Sequence, residues 1–190
     1  MKRKLFTLVL IFIFLYSFSN SYSQNSEHKR WSVKTLTDID TSHINFKKIV
    51  NTSVHEQVNL KRPDQVFNKR NTSETTVYSM DCYIVGFKDQ KDTDIHVILK
   101  DTKTSETMVA EIISPKDDNV KKTSRHKQLK KLRKYFVKNI GKPKQSFTMF
   151  KDPKLVTITG MGFWDSEHGQ KGMAANGREI HPVLSIKLKQ

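Results

Sequence analysis

The chain has 190 residues, 34 of them Lys or Arg against 19 Asp or Glu, for a formal net charge of +15 at pH 7. Its one cysteine, Cys82, excludes an intramolecular disulfide, so stability must come from a packed core. No internal repeat or low-complexity tract is present, which excludes solenoid and fibrous architectures.

Lys2, Arg3 and Lys4 precede an almost wholly apolar run from Leu5 to Phe18, and Ser21-Tyr22-Ser23 supplies small residues at both cleavage-defining positions. A basic start, a short greasy core and a small-x-small end describe a secretory signal peptide over residues 1–23. The run is shorter than the ~20 residues of a membrane span. The expected product is exported, periplasmic or extracellular, with no transmembrane segment. Residues 1–23 hold three basic and no acidic residues, so their removal leaves a net charge of +12. That excess suits nucleic acid, anionic glycans or an anionic envelope surface, and it also serves plain solubility.

Residues 24–73 are rich in Asn, Thr, Ser and Lys and read as an N-terminal extension lying on a domain of residues 74–190. Trp31, Val33 and Leu36, then Val66 and Phe67, are its expected anchors. Val54 to Leu60 forms a short helix that must end before Arg62-Pro63.

From Val77 the pattern sharpens. Val77 to Phe87 is strand-like, with Tyr78, Met80, Cys82 and Ile84 on one face and Cys82 a packed thiol. After a polar turn over residues 88–93, Ile95, Val97 and Leu99 alternate with Asp94, His96 and Lys100, the mark of a strand with one face on a core. Thr107 to Ile113 makes a third strand. A helix follows from about Ser124 to Ile140, capped by Ser124 or Thr123 and ended by Gly141 and Pro143. Leu129, Leu132, Phe136 and Ile140 form its apolar stripe. Lys127, Lys131, Lys134 and Lys138 lie on the opposite side, and residues 121–144 hold eleven Lys or Arg and no Asp or Glu. Leu155 to Phe163 and Glu179 to Leu188 are two further strands, the last with Ile180, Leu184, Ile186 and Leu188 on one face.

Three strands, a helix and two strands is the element order of the OB-fold, a mainly β, five-stranded barrel. Gly86, Gly160 and Gly162 allow the bends that such a barrel needs. An open α+β sheet with the same order is the rival. OB-folds bind oligonucleotides or oligosaccharides across strands two and three, between the first-to-second and fourth-to-fifth strand loops. Here these are residues 88–93 and 164–178.

The second loop begins Trp164-Asp165-Ser166-Glu167-His168-Gly169-Gln170, all residue types that bind or catalyse. It is either a ligand loop or a plug on the barrel, with Trp164 as its cap. His96 and His181 point away from the core side of their strands, and His168 lies in the loop. With Asp94, Asp165, Glu167 or Glu179 nearby, the three imidazoles suit zinc or acid–base chemistry. Against that, no His-x-His or His-Glu-x-x-His spacing is present, and each ring can equally tie the loop to the barrel. Nucleophile elbows, P-loops, dinucleotide glycine patterns and paired cysteines are absent.

The stretch Gly162-Phe-Trp-Asp-Ser-Glu-His-Gly-Gln-Lys-Gly-Met-Ala-Ala-Asn-Gly-Arg-Glu-Ile-His-Pro-Val183 resembles an uncharacterised family of exported bacterial proteins. Their closing segment has the form Gly-Phe-Phe-Asp…His-Gly-Gln…Asn-Gly…Glu-(Leu/Ile)-His-Pro-Val. Trp31 to Asp38, Asp94 to Leu99 and Thr107 to Glu111 are similar to earlier parts of that family. This chain departs in having Trp164 where Phe is common and Lys171 after His-Gly-Gln. The resemblance places His96, His168 and His181 at family motif positions and supplies no activity.

The expected function is an exported, monomeric OB-like domain that binds a polyanion or polymer, nucleic acid or glycan, without covalent chemistry and without a cofactor or metal. Trp164, Asp165, His168, Gln170, His96 and His181 are the candidate ligand residues, and Lys127, Lys131, Lys134 and Lys138 the candidate polyanion contacts. The alternative is a metal- or histidine-dependent hydrolase such as a nuclease. A structural envelope protein whose long loop meets a partner is a third reading.

Overall fold

The computed structural model describes residues 30–64, 66, 69–166 and 169–189. The signal-like start, Phe67, Glu167 and His168 lie outside the described residues. The chain divides into two compact units after Trp31, and the second carries the fold.

A short helix α1 (Trp31–Lys34) and a 3-10 turn (Ile39–His43) open the described chain. Strand β1 (Ile49–Asn51) and helix α2 (Val54–Val58) follow. Ser53 caps α2: its hydroxyl accepts from the Glu56 N–H while the Glu56 carboxylate accepts from the Ser53 N–H. After a second 3-10 turn (Thr72–Glu74) come β2 (Val77–Asp89), β3 (Ile95–Lys100) and β4 (Thr107–Ile112). Helices α3 (Asp118–Lys122) and α4 (His126–Asn139) lead to β5 (Thr148–Trp164) and β6 (Arg178–Leu188).

The sheet runs β1-β2-β3-β4-β6-β5, and β5 pairs back onto β2. Strands β2 to β6 therefore close a five-stranded barrel, with β1 parallel to β2 as an extra strand. All barrel neighbours are antiparallel except β4 and β6. With α4 between the third and fourth barrel strands, this is the OB-fold, and the open-sheet alternative is excluded by the β2–β5 pairing. Among the described residues no helix is long and apolar enough to cross a membrane.

Closure demands bent strands that pair on both edges. Strand β2 pairs with β3 and β5 at once, and its register shifts between Ile84 and Gly86 in both ladders. A Cβ on Gly86 would stand 2.5 Å from the Met149 sulfur and 3.0 Å from the Thr148 carbonyl oxygen, so a side chain there requires Met149 to move aside.

The core follows the alternation: Met80, Cys82, Ile84, Ile95, Val97, Leu99, Met108, Ala110, Ile112, Val156 and Ile158 fill the barrel. Leu132, Phe136 and Ile140 of α4 join them, with Phe136 meeting Phe87 edge-on at 5.2 Å. Burial raises the pKa of the Cys82 thiol, as expected of a packed side chain.

Three expectations need correction. Helix α4 starts at His126, two residues after the expected Ser124, and its N-cap Arg125 makes no side-chain cap; the Thr123 hydroxyl accepts from the Arg125 N–H at 3.3 Å, just ahead of the helix. Strand β5 starts at Thr148, seven residues before the expected Leu155, because its first half includes the polar stretch 151–154 and shows no alternation. In β6, Ile180, Val183 and Ile186 face the core, whereas Leu184 packs in a second cluster and Leu188 is 41% exposed. Register shifts opposite Gly160 and Gly162 insert extra residues into β6, so its inward positions recur every third residue.

The extension is pinned by one buried ion pair. The Arg70 guanidinium, with no exposed side-chain surface, meets Asp38 at 2.8 Å and donates to the carbonyls of Val33 and Glu74. Val33 and Leu36 are buried as the expected anchors. Burial alone would raise the Asp38 pKa, but the hydrogen bonds from Arg70 and Thr41 outweigh it and hold the carboxyl below its ordinary 3.8.

Because the folded-state value is depressed, the stabilisation is complete above pH 3.8 and is lost as the pH falls through the folded value. Asp38→Asn should cost roughly 3 kcal/mol at pH 7, since it strands a buried guanidinium. Denaturant melts of both proteins check this: the gap between them should narrow below pH 3.8.

Candidate functional site

The pairing of three strands brings distant polar residues together on the outer face of the barrel. His96 on β3 stands opposite Glu111 on β4. The β4–β6 contact pairs Val109 with Glu179 and Ala110 with Ile180, so the next outward positions, Glu111 and His181, adjoin. His96 and His181 have no exposed surface, Glu179 and Asp94 are 1% exposed, and Glu111 is 4% exposed.

Glu111 is the hub. Its Oε1 accepts from the Gln90 amide and lies 3.6 Å from His96 Nδ1, while its Oε2 is 3.5 Å from His181 Nδ1. His181 Nδ1 is also 3.8 Å from Glu179 Oε2. Asp94 uses Oδ1 to accept from the Ser114 N–H at 2.6 Å. His96 Nε2 donates to the Lys171 carbonyl at 2.9 Å, which ties the β5–β6 loop to β3. Lys34 reaches in from α1 and pairs with Asp165 at 3.2 Å.

Several of these buried atoms find no hydrogen-bond partner among the described residues: Asp94 Oδ2, His96 Nδ1, Gln170 Oε1, Glu179 Oε2 and both nitrogens of His181. Such groups are rare in native proteins, and a concentration of them at one place is rarer still.

The electrostatics follow from burial. Desolvation pushes His181 well below its ordinary value, with Lys34 adding to the effect, so the ring is neutral at pH 7. Burial and the negative neighbours Asp92 and Glu111 push Asp94 up, and burial with Glu111 and Asp165 does the same to Glu179. Burial opposes ionisation of Glu111 too, but His96, His181 and Lys34 prevail and hold it below the usual range. Lys34 loses to desolvation and gains more from Glu179, Asp165 and Glu111, so its ammonium is held above its ordinary value. The cluster can bind a cation or a small hydrogen-bonding group.

Of the sequence candidates, His96, His181 and Asp165 converge here, and half-buried Gln170 lies in the loop with its Oε1 buried. His168 lies outside the described residues. Trp164 belongs to another network. It is 2% exposed; its backbone N–H donates to Glu74, its indole N–H donates to Ser73 Oγ, and the Arg178 guanidinium stacks 4.7 Å from its ring. Arg178 in turn donates to Gln57 and to the Ser73 carbonyl. Trp164 thus pins the turn before β2. Lys127, Lys131, Lys134 and Lys138 are all exposed along α4.

Sequence reasoning missed Glu111, Gln90 and Lys34 as members of the cluster. The signal for Glu111 was present, a lone carboxylate inside Met108-Val-Ala-Glu-Ile-Ile113. Lys34 and Gln90 carry no such mark.

No family model matches the sequence, and no curated protein matches it. Among solved structures, the asparaginyl-tRNA synthetase of Entamoeba histolytica is similar over 74% of this chain and 23% of that one, at 12% identity and a TM-score of 0.41. The same enzyme in complex with asparaginyl-adenylate gives the same coverage and identity, with a TM-score of 0.35. The chain spans about a quarter of that enzyme's length. The fold assignment rests on the strand order and pairing.

The loop that covers β3 depends on Gly172. Its φ is +84°, and a Cβ there would lie 2.5 Å from Ile98 Cγ2. Gly172→Ala should therefore lift the loop and cost about 1–3 kcal/mol of stability. Hydrogen exchange should show faster exchange over residues 170–177 and unchanged protection in β2.

Proposed function

We propose that this is an exported OB-fold domain that binds a polyanion, nucleic acid or an anionic glycan, between the two loops that flank the barrel's outer face. The observation that carries the reading is Phe147. Its half-buried ring has Lys88 Nζ at 5.0 Å and Lys171 Nζ at 5.5 Å from the centroid, with the His96 ring edge-on at 5.5 Å. Lys88 stands at the base of the first barrel loop and Lys171 lies in the fourth-to-fifth strand loop, the two loops that OB-folds use for ligands. An aromatic platform between ammonium groups is how single-stranded nucleic acid is held without sequence preference.

The exposed lysines of α4 add a second, less specific attraction. The basic, apolar start of the chain supports export. Hydrolysis is the weaker reading, because His96 and His181 have no exposed surface and no polymer reaches either ring in this conformation.

The test is binding of a labelled single-stranded oligonucleotide and of heparin between about 50 and 200 mM salt. Affinity should fall steeply, with each phosphate contact contributing about 0.7 to the log–log slope on single strands. Phe147→Ala with Lys88→Gln and Lys171→Gln should weaken oligonucleotide binding about tenfold or more. Changing Lys127, Lys131, Lys134 and Lys138 to glutamine should flatten the salt slope while leaving the Phe147 contribution in place. No binding at low salt removes the reading, and binding that survives the loop changes but not the helix changes moves the site to α4.

A further inference from the structure

The buried cluster under the β5–β6 loop is not explained by polyanion binding, since its histidines and the carboxyl groups of Asp94, Glu111 and Glu179 are buried. It holds the carboxyl groups of Asp94, Glu111 and Glu179, and the nearby Lys34 ammonium is answered by Asp165. Among the described residues, Asp94, Glu111 and His181 each offer one ligand atom, and these atoms lie within 4.8 Å of one another.

The orientation of each group matters more than the number of acids. Asp94 spends Oδ1 on the Ser114 N–H and leaves Oδ2 buried without a partner among the described residues. Glu111 spends Oε1 on Gln90 and turns Oε2 toward His181. One oxygen of each carboxylate is thus fixed by an outer hydrogen bond while the other points inward, the arrangement by which proteins orient metal ligands. His181 contributes a fully buried imidazole with neither nitrogen hydrogen-bonded among the described residues. Leaving such a ring unpaired costs on the order of 1–3 kcal/mol per polar atom. A bound ion removes that penalty for the ring nitrogen that ligates it and for Asp94 Oδ2.

We propose that Asp94, Glu111 and His181 form a site for one divalent first-row transition-metal ion. Ligands at 2.0–2.2 Å in a tetrahedron stand roughly 3.4 Å apart. Glu111 Oε2 and His181 Nδ1 are already 3.5 Å apart, and Glu179 Oε2 is 3.8 Å from the same nitrogen. An imidazole with carboxylates favours zinc or manganese, whereas calcium and magnesium prefer oxygen alone. All three ligands are buried, so no polymer reaches the ion, and it is a structural centre that joins the start of β3 to β4 and β6.

The test uses the purified full chain, dialysed against a chelator and then titrated with Zn²⁺ or Mn²⁺. One ion should bind per chain, with the melting temperature rising by several degrees, and Mg²⁺ at the same concentration should have no effect. His181→Gln and Asp94→Asn, checked for folding by circular dichroism, should weaken binding about 100-fold and lose the thermal response. His55→Gln, which alters an exposed histidine paired with Glu106 outside the cluster, should keep it. X-ray absorption of the wild-type zinc form should show one imidazole among oxygen ligands, a measurement that stands even where a variant fails to fold. Absence of stoichiometric binding by the wild type, an all-oxygen ligand shell, or unchanged binding in folded His181→Gln and Asp94→Asn overturns the proposal.

Discussion

Strands β4 and β6 meet in parallel over only two residue pairs, Val109 with Glu179 and Ala110 with Ile180, and the barrel closes there. The same contact sets Glu111 beside His181. Side chains alternate between the faces of a strand, so a one-residue slip would turn Ile180 outward and His181 into the barrel. Closure of the apolar core and assembly of the polar cluster are therefore one event. The core supplies the energy, because Ile180, Ala110 and Ile112 are fully buried behind the polar residues.

An OB barrel presents its outer face to a ligand, yet here much of that face is inside the protein. Lys34 of the extension reaches the cluster, and the β5–β6 loop crosses β3 close enough for Lys171 to accept from His96 and for Gly172 to touch Ile98. A polar cluster so enclosed cannot be satisfied by bulk water, which makes each unpaired atom costly. The covering elements have their own anchors. Arg70 holds the extension through Asp38, and Arg178 holds the loop's far end through Gln57 and Ser73. The two arginines also tie the cover to the turn before β2.

Burial divides the labour between two neighbouring places. The imidazoles sit beneath the surface, and Phe147 with Lys88 and Lys171 sits at its edge, touching His96 from outside. His96 is the joint between them: its Nε2 faces the loop and its Nδ1 faces Glu111.

The element order, the barrel-facing positions of β2 and β3 and the two faces of α4 were legible in the sequence. Apolar side chains must recur every second residue on a strand and every third or fourth on a helix to reach a common core. The OB-fold follows from that order, because few arrangements close five strands with a helix after the third. Periodicity says which face a residue occupies and nothing about what covers it. His96 and His181 were therefore readable as outward, but not as buried, and nothing marked Glu111 as their partner. The first half of β5 and the faces of β6 were lost where bulges break the alternation. Only the tertiary structure decided the cluster, since its members come from α1 and the β2–β3 loop, from β3, β4 and β6, and from the β5–β6 loop. Their meeting depends on strand register and on a cover built from irregular segments that carry no period.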